Sequence, residues 1–488
     1  MGVVPDNIKA LKPTEYGACE VRCINGNYYV YKYTSRWNAE KKMPQKVTGK
    51  CIGKITEQNG FIPNSKFILD QNKSEKANIK VKHFGIYNLF TKLSPDLADR
   101  IRTYFPDIFD DIIVLSLLNL VNDCTSKMAK MEFENSCLSD LYPNVSTSSG
   151  SVKKFIRQLG DRTQDMDAFM KSYLSEGSKL LFDGTTIFTR AQDSYAQKGY
   201  NPVHSLNTQI RLLYIFDQTS HIPVFYRMLP GNIVDRTSLV TTIKASGCEN
   251  CTIIADKGFY SKNNVSYLMQ NGMKFVLPLQ SNTKLIPEEF DNDIDDHKFD
   301  GLFVFNDRVI WHKKIKCGDC GNYTYIFRDT DRKSAYELRY VREKECEYGE
   351  ETKTLENLLE KKRTGVYGFV SNIDDKAENI FLLYKERWHI EQCFDYLKNS
   401  IEIGAPYKRT NEELLGWTFL NHISLLYFYG LLKAIRNANL QKEWSPQNVI
   451  TIANNIYSLK IGDETIISEI PAKSIDLLDK LGVSFSNT

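Results

Sequence analysis

Between residues 179 and 371 this chain alternates short apolar runs with amphipathic segments, and that alternation leaves few folds open to it. One strand is predicted at KLLFDGTTIFTR, and two more, joined by a short turn, at IRLLYIFDQTSHIPVFYRMLPGN. A helix at TTIKAS, a buried strand at CTIIADKGFY, a helix at KNNVSYLMQNG and a strand at KFVLPLQ follow in that order. Three strands and then helix, strand, helix and strand predict an α/β fold with a mixed sheet.

A different pattern interrupts this core. Residues 283–365 contain an acidic patch, EEFDNDIDD, strand-like runs in LFVFNDRVIWHKKIKC and NYTYIFRD, and charged helical segments. The run VYGFVSN, at residues 366–372, has the pattern of a strand again. The sequence therefore predicts a core in two parts, residues 179–282 and 366–430, separated by a β-rich insertion.

Three acidic residues lie at unusual places on these elements. Asp183 lies within a hydrophobic strand, Asp256 ends another strand, and Glu391 lies on the helix after the returning strand. Burying an unpaired charge is expensive, although each Asp taken alone could cap a turn before the glycine near it. Together the three can converge at one end of a sheet and bind two Mg²⁺ ions, or Mn²⁺ in their place. Such a metal pair activates a water or a 3′-hydroxyl in phosphoryl transfer.

The segment that carries Glu391 has a polar stripe. On a helix that turns about 100° per residue, four side chains fall within an arc of about 60°: Tyr384, Arg387, Glu391 and Lys398. An apolar stripe beside them can dock on a core. Arg and Lys suit phosphate oxygens, whereas the ordinary alternative for a charge run is a solvated face with Glu–Lys pairs.

The chain resembles a known family in these motifs. The spacing Y-x2-R-x3-E-x6-K, from Tyr384 to Lys398, resembles the Y-R-E-K signature of the DDE-type insertion-sequence transposases of bacteria. FDGTTI and ADKGFYS are similar to that family's first-Asp and second-Asp motifs, and LPGN followed by Asp235 is similar to a segment between them. The resemblance covers about residues 178–430 in the right order, and the long gap before Glu391 looks like the family's β-rich insertion domain.

The resemblance implies an RNase H-like core and metal-dependent, cut-and-paste or related transposition. It assigns Asp183, Asp256 and Glu391 to the metals, and Tyr384, Arg387 and Lys398 to phosphates at the transposon end. Some relatives hold a flipped base on an insertion-domain Trp, which makes Trp311 a candidate, although a Trp in a strand is usually part of the core. DNA is the implied partner, as terminal inverted repeats and target, bound by a homodimer because paired ends are cut.

The N-terminal segment is basic. Residues 1–82 hold 15 Lys and Arg against 7 Asp and Glu, although the net charge of the whole chain is only +3. EVRCINGNYYVYKY predicts a hairpin turning at Asn25-Gly26, and KVTGKCIGKI predicts a third strand. Residues 1–60 are thus predicted to form a small β-rich DNA-binding domain whose sheet face meets a DNA groove. Its candidate DNA contacts are Arg22, Lys32, Arg36, Lys46 and Lys50.

The remaining segments complete the predicted organisation. Residues 61–82 look like a linker, residues 83–178 have the three- and four-residue apolar spacing of a helical domain, and residues 431–488 are expected to be a helical tail. No apolar run is long enough to span a membrane, and no export signal is visible at the N-terminus. A cytoplasmic, nucleoid-associated bacterial protein is expected, with its 11 cysteines reduced.

Two other functions remain open at this point. A transposase-derived DNA-binding regulator would be expected to have lost an acidic residue, but Asp183, Asp256 and Glu391 are all present. A metal-dependent nuclease that cuts without joining strands would use the same residues, since water and a DNA 3′-OH use the same metal pair. The helix motif and the long insertion favour the transposase.

Overall fold

The computed structural model describes residues 3–38, 42–68, 79–122, 127–189, 194–199, 208–233, 235–290, 298–317, 321–335, 338–339, 342, 365–397, 410–461 and 464–485. Contacts divide the chain into two compact units. The first comprises the chain up to Lys82 with Tyr457–Glu469, and the second comprises His83–Ile456 with the segment that begins at Ile470. The finer division into seven parts stays a prediction.

The elements are numbered along the chain. The strands are β1 (Cys19–Ile24), β2 (Asn27–Asn38), β3 (Met43–Thr56), β4 (Gly60–Pro63), β5 (Ile79–His83), β6 (Lys179–Phe188), β7 (Gln197–Lys198), β8 (Thr208–Asp217), β9 (Ile222–Pro230), β10 (Thr252–Ala255), β11 (Lys274–Pro278), β12 (Gly301–Phe305), β13 (Arg308–Cys317), β14 (Asn322–Asp329), β15 (Val366–Ser371), β16 (Tyr457–Ile461) and β17 (Glu464–Ile467). The α-helices are α1 (Asp6–Ala10), α2 (Gly85–Leu93), α3 (Pro95–Tyr104), α4 (Phe109–Asn122), α5 (Ala129–Glu134), α6 (Leu138–Leu141), α7 (Ser149–Gly160), α8 (Thr163–Lys171), α9 (Asp235–Ser246), α10 (Lys262–Gln270), α11 (Ala377–Lys385), α12 (Trp388–Asp395), α13 (Asn411–Asn437), α14 (Pro446–Asn454) and α15 (Ala472–Lys480).

The first unit contains an antiparallel sheet in the order β1-β2-β3-β4. The predicted hairpin is confirmed, because Asn25 and Gly26 both have positive φ, 50° and 78°, as a type I′ turn requires. One face of the sheet packs on a small apolar core, formed by Ile8, Cys19, Val30, Ile52 and Ile55.

The segment expected as a linker has more structure than its polar sequence indicated. Its first residues belong to β4, which folds back on β3 after Gly60, where φ is +63°. Its last residues form β5, which joins β16 and β17 in a three-stranded sheet. The partner of β5 lies hundreds of residues away in the sequence, so local pattern could not reveal this strand.

The second unit is built on the predicted mixed sheet. Its central order is β11-β10-β6-β8, with β9 paired to β8. Strands β6, β8 and β9 are antiparallel, whereas β10 lies parallel to both β6 and β11. Strands β8, β10 and β11 are buried along almost their whole length, which explains their nearly continuous apolar sequences.

The strands of the predicted β-rich insertion extend this sheet. Strands β12, β13 and β14 pair in succession, and β14 continues onto β15, which itself pairs with β11. The described strands of residues 283–365 therefore share one sheet with the core. The sequence could show that strands exist there, but edge pairing between distant segments leaves no local signal.

The helical prediction for residues 83–178 is confirmed by α2 to α8. Helix α13 packs closely on α7 because glycines lie at the crossing. A Cβ placed on Gly416 would lie 2.0 Å from the Ile156 carbonyl oxygen, and one on Gly160 would lie 1.8 Å from that of Glu412. Only glycine permits this approach of the two helix backbones.

The expectation of one helix through Tyr384 and Glu391 is wrong. Helix α11 ends at Lys385 and α12 begins at Trp388, and at the junction the Arg387 N–H donates to the Tyr384 carbonyl, three residues back. The residues between Tyr384 and Glu391 include no Gly or Pro to break the helix, but the side chains of Glu386 and Arg387 both bond to the core. Glu386 accepts a hydrogen bond from Gln218, and Arg387 donates to Asp183.

The C-terminal segment, expected to be entirely helical, contains the β16–β17 hairpin between α14 and α15. The polar, β-branched sequence of these strands has only a weak pattern, and β16 is stabilised by pairing with the distant β5. Within the described ranges, no helix combines the length and apolarity needed to cross a bilayer.

Candidate active site

Asp183 lies in the middle of β6, a strand of the mixed sheet that is flanked by β10 and β8. Its side chain is 17% exposed, and one carboxylate oxygen accepts the N–H of Gly184 at 2.8 Å. Gly184 continues the strand opposite Leu213, so Asp183 does not begin a turn. The turn-capping alternative for this residue is therefore wrong.

Asp256 is placed beside Asp183 by strand register. In the parallel pair of β6 and β10, Phe182 lies opposite Ala255, so the next residue of each strand is an aspartate at the same edge. Asp256 precedes a single 3₁₀ turn, Lys257–Phe259, yet its side chain makes no capping hydrogen bond there. Its carboxylate, 37% exposed, is directed instead toward the same site as Asp183.

Arg387 joins the two aspartates to Glu391. One guanidinium nitrogen lies 2.8 Å from an Asp183 oxygen and 3.9 Å from an Asp256 oxygen, and the other donates to Glu391 one helical turn on. The arginine side chain is 16% exposed, whereas that of Glu391 is 57% exposed. Two strands and a helix thus bring all three predicted acids around one mostly buried cation.

Burial disfavours the charged form of the Arg387 guanidinium, but Tyr384 and the three carboxylates outweigh it and hold its pKa above the ordinary value. The sequence predicted that Arg387 would face phosphate. Arg387 and Glu391 lie four residues apart, a spacing from which their ion pair could have been predicted. No local pattern indicated the contacts with the aspartates, which come from distant strands.

The fit of a divalent metal depends on this arginine. Carboxylate oxygens are the donors that Mg²⁺ prefers, and all three acids pair with Arg387. In the part of the chain that the structure describes, however, no three acidic, His or Cys side chains are grouped closely enough to hold an ion. The donor chemistry therefore fits, and the Arg387 guanidinium lies where the carboxylates would have to meet.

Tyr384 packs beside this centre. Its ring lies 4.4 Å from that of Phe369 on β15 and carries the Arg387 guanidinium at 5.8 Å. Burial raises the pKa of Tyr384 to about 12, so the hydroxyl keeps its proton at neutral pH and remains a hydrogen-bond donor. Lys398, the fourth residue of the motif, lies outside the described residues.

Trp311 lies on β13 opposite Leu302 and Arg328. Its half-buried ring contacts Phe299 at 6.0 Å, and Phe299 in turn contacts the buried Phe290. This aromatic cluster fits the ordinary role of a strand Trp in packing. The base-stacking role of Trp311 stays a prediction.

The five basic candidates of the N-terminal sheet belong to the first unit and differ in their surroundings. Arg22 and Lys46 both pair with Glu20. Lys32 is half-buried with its ammonium 5.4 Å from the ring of Phe67, whereas Arg36 and Lys50 are exposed. Their contact with DNA stays a prediction.

Comparison with known proteins supplies the family. The sequence matches the family described as "Transposase DDE domain" over residues 174–425, just over half of the 488 residues. No curated protein matches the chain. Three solved structures that resemble it are a piggyBac transposase synaptic complex with hairpin DNA, a Mos1 transposase paired-end complex with the left transposon end, and a pre-cleavage Mos1 transpososome.

These structural likenesses are distant. The piggyBac chain is 12% identical, with a TM-score of 0.41 over 76% of this chain and 78% of that one. The two Mos1 chains are 13% and 12% identical, with TM-scores of 0.15 and 0.14, over 33% of this chain and 56% and 57% of theirs. Such scores carry no argument about activity. The family match spans Asp183, Asp256, Tyr384, Arg387 and Glu391, and by this match the chain belongs to the transposase DDE domain family.

Proposed function

We propose that this chain is a DNA transposase that cuts and rejoins DNA strands at the ends of a bacterial insertion sequence. The observation that carries the proposal is the convergence of Asp183, Asp256 and Glu391 on Arg387 from three separate elements. Arg162, by comparison, pairs with two acids, Asp107 and Asp165. Three acids around the mostly buried Arg387 provide the excess negative charge that a divalent metal site requires.

Each residue has a stated role in the proposal. Asp183, Asp256 and Glu391 would hold two Mg²⁺ ions, or Mn²⁺ in their place, and bound metal would activate the attacking oxygen and stabilise the leaving one. Arg387 would turn from the carboxylates to a DNA phosphate, which its planar donor fork suits. Tyr384 would donate its hydroxyl proton to a neighbouring phosphate oxygen, and Lys398 would supply a further positive charge.

The proposal includes an RNase H-like core. Strands β6, β8 and β9 run antiparallel, and β10 and β11 continue the sheet parallel to β6, so that Asp183 within β6 and Asp256 directly after β10 lie side by side. This strand order supports the assignment because it delivers both acids to one edge. The terminal inverted repeats and target DNA would be the substrates of a homodimer, and the basic N-terminal segment would bind the repeats.

The test is a cleavage reaction on the element's own end. Purified protein is incubated with labelled end DNA in Mg²⁺ or in EDTA, and the products are mapped on a denaturing gel beside those of Glu391→Gln. Nicks at the element boundary that require Mg²⁺ and vanish in the variant are expected. A matched control is Glu378→Gln, because Glu378 lies in the first turn of the adjacent helix α11 and makes no contact with Arg387 among the ion pairs described.

Other outcomes would select the alternatives. Tight end binding without cleavage would favour a DNA-binding regulator. Cleavage without joining, in a reaction that also contains target DNA, would favour a nuclease. Cleavage that persists in Glu391→Gln would remove Glu391 from the metal site.

A further inference from the structure

Strands β2 and β3 continue as a two-stranded ribbon past the rest of the N-terminal sheet. We define the ribbon as residues 34–38 and 42–47, whose two strands pair from Thr34 with Val47 to Asn38 with Met43. Strand β1 pairs only with residues 27–32 of β2, and β4 only with residues 53–56 of β3. Within the residues that the structure describes, the ribbon is therefore about 17 Å of paired backbone without a third strand.

The ribbon has the surface of a binding element. Its described residues are exposed, apart from the half-buried Asn38. Trp37, a large apolar side chain, is 68% exposed and does not belong to the apolar core of this unit. Arg36 and Trp37 lie on opposite faces because side chains alternate along a strand. From 34 to 47 the sequence has four basic residues and one acidic residue.

The body of the sheet is less suited to a polyanion. Its outer face carries Glu20, which pairs with Arg22 of the same strand and with Lys46 at the near end of the ribbon. The Lys46 ammonium also lies 4.1 Å from the centre of the Tyr33 ring. Part of the positive charge of this face is thus already neutralised within the protein, whereas Arg36 and Lys42 are exposed near the distal end of the ribbon.

We propose that the ribbon enters the major groove of duplex DNA and anchors the N-terminal unit there. The major groove is wide enough for a two-stranded ribbon. Arg36 and Lys42 contact phosphates on its walls, and the Trp37 ring makes apolar contact with base edges. The proposal places the DNA contact on the ribbon rather than on the sheet face expected from the sequence, and it rests on the proposed function in that DNA is the substrate.

The test measures duplex binding by the full-length protein between 50 and 300 mM salt. Arg36→Gln with Lys42→Gln removes two ribbon charges. The matched control, Lys54→Gln with Lys66→Gln, removes two exposed charges of the same unit outside the ribbon. Because each lost phosphate contact reduces the salt slope by about 0.9, the ribbon variant should lose about 2 in slope and about 30-fold in affinity at 0.15 M salt. The control should stay near the parent.

Trp37→Ala should weaken binding without changing the salt slope, since it removes no charge. An unchanged affinity and slope in the ribbon variant, or an equal loss in the control, would overturn the inference. Nicking of end DNA, measured at saturating protein, distinguishes failure of the ribbon proposal from failure of the proposed function. If nicking persists while ribbon variants bind normally, only the ribbon is refuted; if the parent neither binds nor nicks DNA, both proposals fall.

Discussion

Replacement of Arg387 by Gln tests the charge balance of the site directly. The change removes the cation that contacts three carboxylates, one of which, on Asp183, is mostly buried. Breaking a fully buried pair costs about 3–5 kcal/mol, and the exposure of Asp256 and Glu391 reduces this to about 2–3 kcal/mol here. The second unit spans about 390 residues, so its unfolding entropy near 60 °C is about 0.8 kcal/mol/K and the expected fall in Tm is about 3 °C.

Although Arg387→Gln should lower the Tm in the absence of metal, it should increase the rise in Tm that Mg²⁺ produces. In the parent, Mg²⁺ competes with the guanidinium, whereas in Arg387→Gln it supplies the missing positive charge. Mg²⁺ should therefore raise the Tm of the variant more than that of the parent, as measured by thermal unfolding without DNA. Arg162→Gln is the matched control, because Arg162 also pairs with two carboxylates, those of Asp107 and Asp165.

The control should lose stability without any gain in its response to Mg²⁺. Arg387→Lys should retain part of the metal-free stability, because a point charge replaces the planar fork. The reasoning is refuted if Arg387→Gln unfolds at the parent's temperature in EDTA, or if Mg²⁺ shifts both proteins equally.

Three further outcomes follow from the structure. Asp183→Ala should leave end binding within about threefold but abolish Mg²⁺-dependent nicking, and persistent nicking on the denaturing gel would remove Asp183 from the metal site. Burial lowers the pKa of His422 to about 3, below its unfolded value of 6.5. The folded state therefore loses stability as the pH falls below 6.5, by about 2 kcal/mol at pH 5. His422→Phe should reduce the Tm difference between pH 7 and pH 5, and an unchanged difference would contradict this. Gly416→Ala should lower the free energy of unfolding in denaturant by about 1–3 kcal/mol or more, because the added Cβ meets the α7 backbone. Gly150→Ala, whose Cβ would have nothing within 4 Å, should leave the free energy of unfolding unchanged or raise it by up to about 1 kcal/mol.

The sequence predicted the elements of the core well because burial imposes a local pattern. The runs that became β6, β8, β9, β10 and β11 are apolar on both faces, and the Asn25-Gly26 turn has a steric requirement that few residue pairs meet. For the same reason, the sequence could predict that Asp183 lies within a strand and that Asp256 follows one. Their adjacency depends on the pairing of Phe182 with Ala255, which local periodicity does not encode.

The remaining differences have a common physical cause. The helix break at Arg387, the pairing of β14 with β15 and the pairing of β5 with β16 are all set by contacts between segments far apart in the chain. A helical wheel assumes that local hydrogen bonds decide the backbone path. Here the contacts of Glu386 and Arg387 with the core accompany a tighter turn, so the predicted polar face is divided between two helices.

The order of the three acids along the chain has a consequence for protein synthesis. Asp183 and Asp256 leave the ribosome first, and Glu391, with Arg387 beside it, follows 135 residues after Asp256. At about 5–20 residues per second, this delay is on the order of 10 s. A nascent or prematurely terminated chain therefore contains the paired strands that carry Asp183 and Asp256 without Arg387 and Glu391.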